Sequence, residues 1–271
     1  MGRRGAAGQR GSGEGEVVHT GAPELREVPI SGPVPRFEVP GWREQHGVVA
    51  GVTGRGSDSG RGFDLGLWSR EPVGDVMTRW LTFRRQLPEF QAVVLGNQVH
   101  GVEVMSIDSG RGWIQVEGID GWVTTVAGIL LTVTIADCIP VYLIAPGRGI
   151  ALLHAGWRGT AGGILGRGVE LLRSTTGCSL DKIVMHCGVG ICGSCYEVGS
   201  EVVEGCGGQA IGAGPWHVDL RERLQNQAGA LGLTQVTTSA WCSAHDTTSF
   251  YSHRASRGTD GRMVAYAGML S

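Results

Sequence analysis

The run Ile129–Ile135 is uncharged, rich in β-branched residues, and breaks off into Ala136-Asp137-Cys138-Ile139-Pro140. A segment of that kind reads as a strand, and a chain that contains it has to build a sheet around it. The same pattern recurs twice. Ala92–Leu95 leads into Gln98-Val99-His100-Gly101, and Gly149–Leu153 leads into His154-Ala155-Gly156-Trp157-Arg158-Gly159. Each time a chemically capable side chain stands at or just beyond the end of a strand. Strand ends are rigid mounts, suited to side chains that must converge closely.

Other elements follow from periodicity and punctuation. Four prolines between Pro29 and Pro40 give an extended lead-in, and residues 47–52 read as the first core strand. Val76, Trp80, Phe83 and Leu87 fall on one helical stripe that should pack on a sheet. Thr160 is the expected N-cap of a helix carrying Ile164, Leu165, Val169, Leu171 and Leu172 to a stop near Gly177. Asp219 is the expected cap of another helix ending near Gly232. Strands are expected at 182–185, 234–241 and 262–267. There is no internal repeat and no regular strand–helix alternation, which favours an α+β or layered sandwich over a Rossmann order. Residues 1–22, rich in Gly and Arg without apolar periodicity, are expected to be a disordered tail, and 23–271 a single catalytic domain.

Composition removes several function classes. A net charge of -2 offers no footprint for nucleic acid or an anionic membrane, so small molecules are the expected partners. The 23 basic residues include one lysine, Lys182, and 47 residues are Gly; genome-wide base composition explains both. The uncharged run Gly121–Ala136 is Thr-rich and shorter than the ~20 apolar residues of a membrane helix. Seven cysteines, an odd number in a long chain, argue against a disulfide scaffold. A soluble, cytoplasmic protein is expected. No Gly-Lys-Ser/Thr occurs, which removes the P-loop nucleotide class.

His100, Cys138 and His154 offer two imidazoles and one thiolate. Three protein ligands leave a fourth tetrahedral position for water or substrate, the arrangement of a catalytic zinc site. A competing reading drops the metal and makes Cys138 a nucleophile with His154 as its base, giving a cysteine hydrolase or amidase. That reading leaves His100 without a role. Cys192 and Cys195, with Cys187 nearby, resemble half a zinc knuckle or a redox pair, but no second well-spaced pair follows, and burial is the expected fate. The zinc-deaminase signature is not matched by His100-Gly-Val-Glu103. A copper oxidase needs several His-rich ligand sets, and no His-x-His occurs. For anions, Arg55, Arg158 and Arg254 lie in Gly-flanked or loop segments suited to bidentate phosphate contacts, with Gln98 counted beside them as a substrate contact. Asp137 should point away from the metal and support a ligand histidine from behind; a direct acid–base role is the alternative. Trp157 and Tyr196 are candidates to stack a planar base.

These segments resemble the YfiH family, labelled multicopper polyphenol oxidases or laccases and described as zinc-dependent purine nucleoside phosphorylases. The motifs around His100, Cys138 and His154 occur in the family's order. So do Gly188-Val189-Gly190-Ile191, Tyr196-Glu197-Val198-Gly199 and the stretch from Cys242 through Ser252-His253-Arg254 to Gly261-Arg262. Phe63-Asp64-Leu65-Gly66-Leu67 resembles another family element, although Asp64 stands where Asn is usual. Val189 departs from a usual Pro and Ala255 from a frequent Arg. The resemblance implies a layered α/β/β/α sandwich and zinc held by His100, Cys138 and His154, with copper as the less favoured metal. It also implies phosphorolysis of adenosine, inosine and 5'-methylthioadenosine to free base and pentose 1-phosphate. Adenosine deamination at the same site is implied as a second activity. A copper-dependent polyphenol oxidase and a non-enzymatic binding module complete the alternatives.

Overall fold

In the computed structural model, which describes residues 21–56, 62–67 and 71–271, alternate residues of the Ile129–Ile135 strand go to opposite layers. Ile129, Leu131, Val133 and Ile135 enter one apolar cluster, whereas Leu130 enters another on the far side of the sheet. This is the two-residue period of a strand covered on both faces. The Ile139–Ala145 strand behaves likewise. Its Ile139, Val141 and Leu143 face one cluster, and Tyr142 and Ile144 face the next.

Among the described residues these strands belong to two seven-stranded mixed sheets. The first runs, edge to edge, Glu24–Leu25, Gln235–Ser239, Val184–Cys187, Ile139–Ala145, Gly149–Ala155, Gly121–Thr124 and Val104–Ser106. The second runs Val28–Ile30, Arg36–Glu38, Val48–Thr53, Met263–Met269, Ile129–Ile135, Ala92–Asn97 and Gly112–Glu117. The sheets face each other across a layer that includes Val52, Val94 and Leu131 from one side and Trp122, Tyr142 and Leu152 from the other. Burying a side chain such as Leu131 or Leu152 contributes ~1.5–3 kcal/mol. Tyr142 also donates its hydroxyl to the Gly51 carbonyl, 2.8 Å away on the opposite sheet.

Helices cover both outer faces. Val73–Arg85 places Val76, Trp80 and Phe83 against Val49, Leu95, Leu130 and Tyr266, and Leu87 continues the stripe just past the helix end. Ile164–Thr176 and Leu220–Leu231 cover the first sheet through Leu165, Val169, Leu172 and Leu224. The expected layered α/β/β/α sandwich of mixed sheets is therefore the fold. No helix among the described residues is long and apolar enough to cross a membrane.

The lead-in between Pro29 and Pro40 is extended, as expected, and its strands Val28–Ile30 and Arg36–Glu38 pair in sequence onto Val48–Thr53. One local expectation needs correction. Thr160 is not a helix cap: it lies inside a short helix, Trp157–Ala161, and the long helix starts from Gly163 in a left-handed conformation (φ 83°). Asp219 does cap its helix, accepting hydrogen bonds from the backbone N–H groups of Arg221 and Glu222. The expectation for the tail falls, over residues 1–20, outside the described residues.

Candidate functional site

Both sheets contribute to one cleft. His154 is the penultimate residue of the Gly149–Ala155 strand in the first sheet, and His100 lies just beyond the Ala92–Asn97 strand of the second. Cys138 sits in the turn by which the chain leaves Ile129–Ile135 in one sheet and enters Ile139–Ala145 in the other. Their ligand-capable atoms lie within 4.8 Å of one another, and the two imidazole rings approach to 4.9 Å between centroids. Gly156 makes this closeness feasible: a Cβ there would stand 3.0 Å from Cys138 Sγ and 3.3 Å from His100 Cδ2.

Two residues of this group, His100 (φ 58°) and Asp137 (φ 84°), hold left-handed backbone, uncommon outside glycine. What holds His100 in place is Asp120, a residue that sequence reasoning did not nominate. Its carboxylate, with no solvent exposure, accepts the backbone N–H groups of Val99, His100 and Gly101 at 3.2, 3.0 and 2.8 Å. It also bonds His154 Nδ1 at 2.9 Å. Burial alone raises the carboxyl, but the His154 ring and the N–H donors outweigh it and hold Asp120 below its ordinary range. With Nδ1 so engaged, His154 has its Nε2 for the cleft. Asp120 is flanked by Gly118-Ile119 and Gly121, a weak signal that any turn before a strand would share.

Asp137 therefore does not support a ligand histidine. Its oxygens accept from Ser243 Oγ and from the backbone N–H of Arg254, both at 2.6 Å, which fixes the Arg254 loop beside the cleft. Gln98 has both ends of its amide on Thr134: Oε1 accepts from the Thr134 N–H and hydroxyl at 2.7 and 2.8 Å, and Nε2 donates to the Thr134 carbonyl at 2.9 Å. It locks the turn that presents His100.

The Cys138 and His154 titrations are coupled. Burial pushes the thiol up, yet the imidazoles of His154 and His100 overcome this and bring Cys138 down to about 6. Burial pushes His154 down, while the Cys138 thiolate and the Asp120 carboxylate carry it up to about 9. Without a metal the pair is a thiolate–imidazolium ion pair near neutrality. A metal would replace the imidazolium proton and need a neutral ring beside the thiolate. The donor set fits such a group: three convergent N and S atoms, one ring oriented from behind, and a glycine where a side chain would crowd them.

The cleft around these donors has a volume of ≈ 980 Å³ and is lined by every residue nominated from the sequence: His100, Cys138, His154, Gln98, Asp137, Arg55, Arg158 and Arg254. The arginines are positioned differently. Arg55 pairs with Asp260 and lies over the Tyr251 ring, 4.5 Å from its centroid. Arg254 donates to the Glu197 carbonyl and faces Tyr196 at 5.2 Å. Arg158 lies 4.4 Å over Trp157, in a short helix rather than at the start of a long one. Tyr251, Asp260 and Arg262, not nominated, also line the cleft. Burial and the Cys138 thiolate push Tyr196 up to about 12, so its phenol stays neutral.

A family profile described as multi-copper polyphenol oxidoreductase laccase matches residues 45–270. The chain is 35% identical over 247 residues to the purine nucleoside phosphorylase YlmD of Geobacillus stearothermophilus, covering 82% of this chain and 90% of that protein. It is 34% identical over 241 residues to the adenosine deaminase RL5 of an unknown prokaryotic organism, covering 80% and 92%. The crystal structure of YlmD from Geobacillus stearothermophilus superposes with a TM-score of 0.80 at 29% identity, covering 90% of this chain and all of that one.

Proposed function

The chain belongs to the family described as multi-copper polyphenol oxidoreductase laccase, and on that footing we propose that it is a purine nucleoside phosphorylase whose cleft holds zinc at His100, Cys138 and His154. The relationship to a protein named purine nucleoside phosphorylase, over 82% of this chain, carries the reading. The cleft supports it by combining cations for phosphate, flat side chains for a purine, and three donors able to hold a Lewis-acidic metal. Zinc is preferred to copper because phosphorolysis transfers no electrons and needs a redox-inert Lewis acid with an open fourth position, although two His and one Cys also suit a single copper ion. Neither group of metal-capable side chains among the described residues is the His-rich set that a multicopper centre would need.

In the reaction, an oxygen of inorganic phosphate bonds to the anomeric carbon as the bond from that carbon to the purine nitrogen breaks. The electron pair leaves with the purine, whose nitrogen takes up the proton that the hydrogen phosphate gives up, so free base is released beside pentose 1-phosphate. Arg55, Arg158 and Arg254 bind and orient the phosphate through charge-assisted hydrogen bonds. Trp157 and Tyr196 flank the base, and the Tyr196 hydroxyl remains a donor throughout the neutral range. Asp120 holds His154 in one tautomer, and Asp137 keeps the Arg254 loop against the cleft. Zinc, when bound, supplies Lewis acidity toward the purine or toward water.

Two other readings have specific support. The adenosine deaminase relative favours a hydrolytic activity on the same nucleoside. The Cys138–His154–Asp120 line favours a metal-free Cys-His hydrolase, in which His100 serves only as a second imidazole beside the thiolate. Incubating zinc-replete protein with adenosine, with and without phosphate, and separating the products by chromatography tests all three. Phosphate-dependent adenine release, abolished in Cys138→Ala, is the expected outcome. Inosine formed equally without phosphate would make the chain a deaminase, and no consumption of nucleoside would sink the purine assignment.

A further inference from the structure

Behind one wall of the cleft, Cys192, Cys195, Cys242 and His245 come together with ligand-capable atoms all within 4.8 Å of one another. The Cys192–Cys195 pair looks in the sequence like half a metal knuckle lacking its other half. The fold supplies that half from a distant loop, as Cys-x-x-His rather than Cys-x-x-Cys. We propose that these four side chains bind a second zinc ion in a closed, structural Cys3His site.

The observed separations, from 3.1 Å to at most 4.8 Å, bracket those of a tetrahedral zinc site. With Zn–S of about 2.3 Å and Zn–N of about 2.0–2.1 Å, the edges between ligand atoms measure about 3.6–3.8 Å. Cys192 Sγ lies 3.7 Å from His245 Nδ1, and Cys195 Sγ lies 3.1 Å from His245 Nε2. The two ring nitrogens of the exposed His245 face different sulfurs, so metal binding requires the ring to turn until one nitrogen meets all three. The backbone already addresses those sulfurs, since the Cys192 N–H donates to Cys242 Sγ at 3.3 Å. Each half sits on its own tight turn. The Cys195 N–H bonds the Cys192 carbonyl at 3.1 Å, and the Asp246 N–H bonds the Cys242 carbonyl at 2.8 Å. The turns are docked by a bridge between Gly190 and Cys242 and by the Ser243 N–H on the Gly190 carbonyl at 3.0 Å.

Three sulfur donors and one imidazole are the donor set of a structural zinc site. Three thiolates, one neutral imidazole and a divalent ion carry a net charge of about −1. The buried guanidinium of Arg221 donates to the carbonyls of Gly190, Ser239 and Trp241, on the two segments that carry the ligands. Its Nε has no partner among the described residues. Four protein ligands leave no open position, which distinguishes this centre from the three-donor group in the cleft. Its effect is mechanical. Ile191 and Tyr196, next to the first pair, and Tyr251 and Arg254, downstream of the second, all line the cleft. The ion would pin these two wall segments together.

The test is zinc stoichiometry by elemental analysis of full-length protein purified under reducing conditions, with cobalt substitution as a second readout. Wild-type protein should carry two ions per chain, and Cys138→Ala and His245→Ala one each. Cobalt-loaded Cys138→Ala should show sulfur-to-cobalt charge-transfer absorption that weakens stepwise in Cys192→Ser and Cys195→Ser backgrounds. The cobalt experiment leaves all four proposed ligands intact in its starting protein, so it does not depend on a variant that fails to fold. One ion in wild type and none in Cys138→Ala would overturn the second site and leave the cleft site standing. One ion in wild type that persists in Cys138→Ala but is lost in His245→Ala would support this site and remove the other. A disulfide among Cys192, Cys195 and Cys242 in freshly purified protein would also overturn the proposal.

Discussion

Asp120 bonds three consecutive backbone N–H groups and one imidazole through two oxygens, so its side chain sets both the turn that carries His100 and the tautomer of His154. Asp120→Asn removes the charge and turns one acceptor into a donor facing N–H groups. Metal affinity in the cleft should fall about 10–100-fold, as expected when a partner behind a ligand histidine is lost, measured by competition against a chromogenic chelator. An unchanged affinity would mean that the turn is held without it. The thiol makes a separate prediction. In metal-stripped protein Cys138 titrates at about 6 rather than 9, so its alkylation by iodoacetamide should rise through pH 6 and level off above it. A midpoint near 9 would refute the ion pair. The sign for the metal is the opposite side of the same coupling: capture expels the His154 proton, so affinity should weaken as pH falls below about 9. At this scale the donors were legible because Cys and His are few and stood at strand ends. Asp120 was not, since its partners are remote in sequence and Asp beside glycine is ordinary turn chemistry. Cys242 and His245 escaped for a related reason: their match to Cys192 and Cys195 exists only once two loops have been docked.

The helices show where local chemistry suffices. Asp219 has an acceptor at the right distance from two unsatisfied N–H groups, and Gly232 closes the same helix in a left-handed conformation (φ 92°). Asp219→Ala should cost ~1 kcal/mol of stability, read as a lower denaturation midpoint at unchanged slope; the variant also loses the Gly193 N–H bond to the same carboxylate at 3.2 Å, so no shift would show that neither contact stabilises the fold. Thr160 carried the same residue-type signal and misled. Gly162 and Gly163 break the chain there, so the apolar stripe from Ile164 begins a new helix after a glycine. Strands divide in the same way. Ile129–Ile135 was legible because both faces are buried, whereas Gly112–Glu117 is partly exposed along most of its length and takes its place from parallel pairing with Ala92–Asn97. Local pattern cannot report a partner strand.

Across the whole molecule, the three apolar layers come from one rule applied repeatedly: adjacent residues of a strand go to opposite faces, and each face finds a cover. That rule predicts layers but leaves strand order open, and the order decides which strand ends meet. His154 belongs to one sheet, His100 follows a strand of the other, and Cys138 occupies the link between them. Neither sheet alone owns a complete set of donors. The affinity of the cleft for the proposed ion would therefore gauge how firmly the sandwich is closed: any event that lets the sheets slide, from a core cavity to an incompletely folded chain, would register first as a metal that will not stay.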